Sequence, residues 1–158
     1  MAKQLINNNK DKVVEMTVWS QVTHTFPSRS KGSYLVTREI EQAVSKEIKQ
    51  YKIGMCNLFL QHTSASLCLN ENVCSEVRRD LTMALDHMAP ETLRYEHTDE
   101  GPDDMPGHVK SAVMGVSLDI PIRNGELALG TWQGIYLCEH RTYQHRRSVI
   151  ITMQGEKR

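Results

Sequence analysis

Residues 95–110 read YEHTDEGPDDMPGHVK, with four carboxylates (Asp99, Glu100, Asp103 and Asp104) between His97 and His108. Like charges packed this densely repel, and a chain does not need them to fold. Imidazole nitrogens and carboxylate oxygens are the usual ligands of zinc and other divalent cations. The segment therefore reads either as a cation site or as a solvated loop. The eleven-residue interval between the histidines is not the i,i+4 pair of a compact zinc motif. Gly101-Pro102 turns the chain, and Asp103 or Asp104 can cap a helix before Val109. A cap accounts for one carboxylate and leaves the others.

Two further polar clusters interrupt apolar surroundings. Gln61-His62-Thr63-Ser64, continued by Asn70-Glu71, breaks a strand that otherwise looks buried. Unpaired buried polar groups cost roughly 1–3 kcal/mol each. These residues must satisfy one another or open onto a pocket. Ser64 beside His62 fits a hydrolase, but there is no GxSxG elbow, and hydroxyl ligands for phosphate or simple turn bonding suit Thr63 and Ser64 better. The other cluster is Leu129-Gly130-Thr131-Trp132-Gln133-Gly134, expected inside a strand. Its glycines mark a bulge beside a core Trp, or a surface against which a flat ligand lies. His140, Arg141, His145, Arg146 and Arg147 follow as a local basic group, either a phosphate grip or a solvated hairpin tip. The group is too short and aromatic-poor for a nucleic-acid surface.

The elements that position these residues follow from patterning. The chain has 158 residues, 39% apolar and 24% charged, and zero formal net charge. That suits one domain spanning 1–158, with 1–10 as a flexible tail. Zero net charge provides no global attraction to nucleic acid, and no apolar run approaches the ~20 residues of a membrane span. The polar N-terminus, MAKQLINNNKDK, lacks a signal-peptide core, so a cytoplasmic location is expected. Cys56, Cys68, Cys74 and Cys138 form no CxxC pair and read as neither a zinc ribbon nor a disulfide framework.

Alternation predicts a strand over 13–22, and composition predicts a loop over 24–33. Thr37 is placed to cap a helix carrying Ile40, Val44, Ile48 and Tyr51 on one face. GMCNLFLQ (54–61) and LCLN read as strands around HTSAS. Val77, Leu81, Leu85 and Met88 mark a helix ending before Pro90, and Val109 to Val113 a short one closed by Gly115. SLDIPI and ELALGTWQGIYLCEH flank Asn124-Gly125, a strong hairpin signal, and SVIITMQG makes a last strand. The fold class is α+β, with largely antiparallel strands and helices packed on them.

The segments LFLQHTSASLCLNEN, YEHTDEGPDDMPGHVKSAVMGVSLDIPI and NGELALGTWQGIYLCEH together resemble the hallmark stretches of the YjbQ-like family, also described as secondary thiamine-phosphate synthases. The likeness runs from about Val13 to Glu156. The resemblance implies a β-sandwich-like domain with helices on it, assembled as a homotrimer. It implies a thiamine-phosphate synthase activity that joins an aminopyrimidine diphosphate to a thiazole phosphate. It also associates the family's histidines and acids with a bound metal. The matching residues are His62, Glu71, His97, Asp103, Asp104, His108, Gln133 and Glu139. Thr142-Tyr143-Gln144-His145 replaces the Gly-rich turn that commonly follows the glutamate matching Glu139.

That reaction needs the leaving diphosphate neutralised, which a divalent cation and basic side chains can do. Trp132 could stabilise the cation-like carbon left behind. The expectation is that His62, His97 and His108 converge on one divalent metal, zinc or another transition metal, or magnesium. Asp103, Asp104 and Glu139 are the expected catalytic acids. Thr63, Ser64, Asn70, Glu71, Trp132, Gln133 and Arg147 are expected to contact the phosphorylated small-molecule substrate. The alternatives are metal-assisted hydrolysis of a phosphate ester, and a non-catalytic trimeric metal-binding scaffold.

Overall fold

Along the last strand, Val149, Ile151 and Met153 are buried while the residues between them are only partly so, the period-2 pattern of a sheet with one face on a core. The computed structural model describes residues 17–158. Its elements in chain order are β1 (Thr17–Thr25), β2 (Gly32–Leu35), α1 (Thr37–Ala43), β3 (Tyr51–Leu60), β4 (Ala65–Glu71), α2 (Ser75–Met88), α3 (Asp104–Met114), β5 (Ser117–Arg123), β6 (Glu126–Leu127), β7 (Gln133–Glu139) and β8 (Ser148–Lys157). A 3₁₀ turn at Ile48–Gln50 leads into β3.

The strands form two antiparallel sheets, ordered β1-β8-β3-β5-β6 and β2-β7-β4. Their inner faces share one apolar cluster. Cys56, Leu58, Ile120, Ile151 and Met153 come from the larger sheet, Ala65, Leu67, Ile135 and Leu137 from the smaller. Ile40 and Val44 reach the same cluster from α1 and the residue after it. Helix α2 packs on β2, and α3 on β4. On the opposite side, the outer face of the larger sheet leaves Trp19, Met55 and Phe59 exposed. The α+β class and its antiparallel, sandwich-like layering are as expected from the sequence.

Several boundaries differ from expectation. Of the strand expected over 13–22, residues 13–16 lie outside the described residues, as does the 1–10 tail. The rest is in β1, which continues to Thr25 because it pairs with β8 down to Ser148. Within the expected loop, Gly32 and Ser33 begin β2, a short strand whose composition hides its pairing with β7. The expected long helix ends at Ala43. Ile48 and Tyr51 keep the apolar spacing, but Tyr51 starts β3. Thr37 is the first helical residue, not the cap, and its Oγ1 accepts from the Ile135 N–H at 2.9 Å. The stretch LGTWQG is not one strand, because residues 128–132 cross from β6 in one sheet to β7 in the other. Trp132 is consequently 64% exposed, not part of the core.

Candidate functional site

The β3–β4 loop, the start of α3 and the β7–β8 loop meet at one end of the sandwich. Gly107 permits the approach of α3. A Cβ there would lie 3.2 Å from the Ser64 Cβ, 3.5 Å from the His140 Cβ and 3.6 Å from the Arg141 Cδ. Asp104 and His108 stand one turn apart on α3, so both face the same way.

The Asp104 carboxylate is 1% exposed and receives three groups. Its Oδ2 lies 2.9 Å from His97 Nε2 and 3.1 Å from His108 Nε2, while Arg141 Nη1 donates to Oδ1 at 2.5 Å. The donor atoms of His97, Asp104 and His108 all lie within 4.8 Å of one another. His108 Nδ1 is 2.8 Å from the Thr63 carbonyl oxygen, which can only accept, so that nitrogen carries a proton. If the ring carries only that proton, its Nε2 lone pair faces an anionic oxygen. That arrangement repels unless a proton or a cation lies between them. A histidine fixed through its far nitrogen by a backbone carbonyl is also the usual support of a metal ligand. Two imidazoles and one carboxylate thus suit a divalent transition metal better than magnesium, and three protein ligands leave a position for a reactant.

Arg141 anchors this group from behind. Nε donates to Asp103 Oδ2 at 3.1 Å, and Nη2 donates to the Glu100 carbonyl at 2.7 Å. Burial alone would raise Asp103, but the Thr142 N–H at 2.7 Å and the Arg141 guanidinium hold its carboxyl below the ordinary range. Burial likewise opposes the Arg141 charge, yet Asp103 and Asp104 leave it above its ordinary value. Asp103 occupies the N-cap position of α3 without a side-chain cap bond, because its carboxylate is turned to Arg141 and Thr142.

The remaining sequence candidates separate into two places. Glu139 is buried in a two-point pair with Arg147, whose Nε and Nη2 each donate to it at 2.6 Å. Arg147 Nη2 also reaches Ser64 Oγ at 3.0 Å. This guanidinium, expected on a phosphate, is committed inside the protein. His62 lies outside the three-residue donor set, with its Nε2 accepting from the Ser148 N–H at 2.8 Å. A cavity of ≈780 Å³ nevertheless brings His62, Thr63 and His108 together against an apolar wall of Phe59, Ala112 and Val116. Asn70, Glu71, Trp132 and Gln133 are elsewhere. They sit at the far end of β4 and β7, about 20 Å from Ser64 at the rise of a strand. There Glu71 accepts from the Val73 and Cys74 N–H groups, which lead into α2, and Gln133 Oε1 accepts from Gly130 N–H.

Residues 21–156 match the family model described as UPF0047 protein YjbQ-like. The chain belongs to the YjbQ-like family. It is 45% identical over 139 residues to the UPF0047 protein YjbQ of Escherichia coli O157:H7, covering 88% of this chain and all of that one. It is 34% identical to the UPF0047 protein YugU of Bacillus subtilis over 76% of this chain and 87% of that one. Among solved structures, a YjbQ/UPF0047 family protein from Clostridium acetobutylicum superposes with a TM-score of 0.74 at 31% identity, over 84% of this chain and 98% of that one. A protein from Sulfolobus solfataricus shares the fold with a TM-score of 0.80 at 22% identity, over 89% of this chain and all of that one.

Family membership leaves the roles of individual residues to geometry, and two of these escaped the sequence reading. Arg141 holds the acids rather than a phosphate. Lys110 is 2% exposed and donates to Asp86 of α2. The i,i+4 spacing of Asp104 and His108 signalled that those two share a helix face, but nothing local placed Arg141 against the acids. No local pattern marks Lys110 as buried.

Proposed function

We propose that this chain is a metal-dependent enzyme acting on phosphorylated small molecules, with the joining of an aminopyrimidine diphosphate to a thiazole phosphate as the reaction to test first. The observation that carries the reading is one buried carboxylate oxygen shared by His97 and His108, with the His108 Nδ1 proton already given to Thr63. His97, Asp104 and His108 hold the cation, and Arg141 fixes Asp104 from its other oxygen. Bound there, a divalent transition metal supplies Lewis-acid neutralisation of a departing phosphate or diphosphate. The apolar wall of Phe59, Ala112 and Val116 takes the ring of the substrate.

The protein works as a homotrimer in the cytoplasm. The exposed sheet face bearing Trp19, Met55 and Phe59 supports assembly, and Phe59 connects that face to the cavity. Four free cysteines suit a reducing compartment.

Metal analysis and a two-substrate assay test the reading together. Purified protein should carry a transition metal that is lost in His97→Ala and His108→Ala. Product should form only when both substrates are present. Release of phosphate from one ester and water instead would point to hydrolysis, and unchanged metal content in both variants would remove the metal-dependent reading.

A further inference from the structure

His62 lies on the loop where the chain leaves the larger sheet for the smaller. Its Nε2 is 2.8 Å from the backbone nitrogen of Ser148. A backbone amide only donates, so Nε2 presents its lone pair. A neutral imidazole carries one proton, which then sits on Nδ1. Burial of the ring, followed by the charge on Arg147, lowers His62 from its ordinary value and favours that neutral form. The anchor is firm, because Gln61 N–H also donates to the Ser148 carbonyl at 3.1 Å and Ser148 opens β8. The loop thus grips one strand residue from both sides of its peptide units.

A ring held this way is a poor ligand for a cation. Its Nε2 is occupied, and its Nδ1 bears a proton. The three-donor set does not include it. Yet the same side chain lines the ≈780 Å³ cavity beside Thr63 and His108. We infer that His62 is a fixed N–H donor, using Nδ1 to hold an acceptor oxygen of the phosphorylated ligand while His97, Asp104 and His108 hold the cation. A neutral donor suits that place. It binds an anionic oxygen without bringing a second positive charge near the metal. The inference rests on the proposed reading for the identity of the ligand, and on geometry alone for the tautomer.

The experiment has two readouts. Long-range ¹H–¹⁵N correlation on ¹⁵N-histidine protein should show His62 protonated at Nδ1 and bare at Nε2. Calorimetric titration with inorganic phosphate, on metal-loaded protein, should lose roughly ten- to a hundredfold in affinity in His62→Ala. His62→Asn should keep most of the affinity, because its amide nitrogen stands near the Nδ1 position. His62→Gln should not, because its amide reaches the Nε2 position. All three variants should keep their metal. A proton on Nε2, metal loss in His62→Ala, equal affinities across the variants, or no phosphate binding by the unmodified protein would overturn the inference. Metal content of His97→Ala reports separately on the proposed metal centre, so the two failures are distinguishable.

Discussion

Arg141→Met removes the one guanidinium that faces both Asp103 and Asp104 while retaining most of its apolar volume. In the unmodified protein the guanidinium is 9% exposed and sits 3.1 Å from one carboxylate and 2.5 Å from the other. Breaking a buried pair by removing one partner costs about 3–5 kcal/mol, mostly from the charge left behind. Asp103 keeps the Thr142 N–H, which places the expected loss near the lower end, about 3 kcal/mol. For a chain of this size that lowers Tm by roughly 6–12 °C. Thermal unfolding followed by circular dichroism at pH 7 measures it. The pH dependence carries a second signature. Asp103 is depressed in the folded state, so its stabilisation is present above the unfolded pKa and is lost as pH falls through the folded value. Without Arg141 the folded value rises toward the unfolded one, so the Asp103 contribution shrinks and the acid limb is shallower than in the unmodified protein. A Tm change under about 2 °C with an unaltered acid limb would refute the claim that Arg141 holds these acids.

Two further outcomes test the packing. His140 is buried with Nε2 2.7 Å from Ser66 Oγ, and burial, then the charges of Lys110 and Arg147, bring its pKa to about 3. The unfolded chain therefore takes up the proton first, and the His140 contribution is intact above about pH 6.5 and declines toward pH 3. Urea unfolding should show the unmodified protein losing roughly 1.5–2 kcal/mol more than His140→Gln between pH 6.5 and 5, and parallel profiles would contradict it. Gly54 on β3 faces Gly155 on β8, and a Cβ at Gly54 would lie 2.2 Å from the Gln154 carbonyl oxygen. Gly54→Ala should destabilise by about 1–3 kcal/mol or more by denaturant unfolding, and a neutral result would show that these strands separate easily.

Local chemistry marked some features directly. Asn124 and Gly125 have φ of 53° and 79°, the left-handed pair that a two-residue hairpin turn requires, and the hairpin stands where Asn-Gly placed it. The apolar run of β3 and the amphipathic spacing of α2 were equally plain. The crossover at 128–132 was not, because apolar residues continue through it and only pairing partners reveal a change of sheet. Thr37 has the residue type of a cap, yet its hydroxyl is drawn to a strand 98 residues away.

The site was legible in pieces. The density of acids between two histidines pointed to the segment in which His97, Asp104 and His108 converge. The pairing of Glu139 with Arg147 was invisible, since a basic residue near a chain reversal looks the same whether it faces solvent or a buried glutamate. The distance of Asn70 and Glu71 from Ser64 was available in principle, because six extended residues span about 20 Å. Treating them as one cluster with His62 overlooked that arithmetic.

The central claim is that His97, Asp104 and His108 form a cation site. Crystals grown after loading the protein with zinc or manganese, measured on both sides of the metal absorption edge, address it most directly. An anomalous peak about 2.0–2.2 Å from His97 Nε2, His108 Nε2 and Asp104 Oδ2 is the predicted result. A metal bound elsewhere, or no peak while those three side chains keep their present contacts, would contradict it.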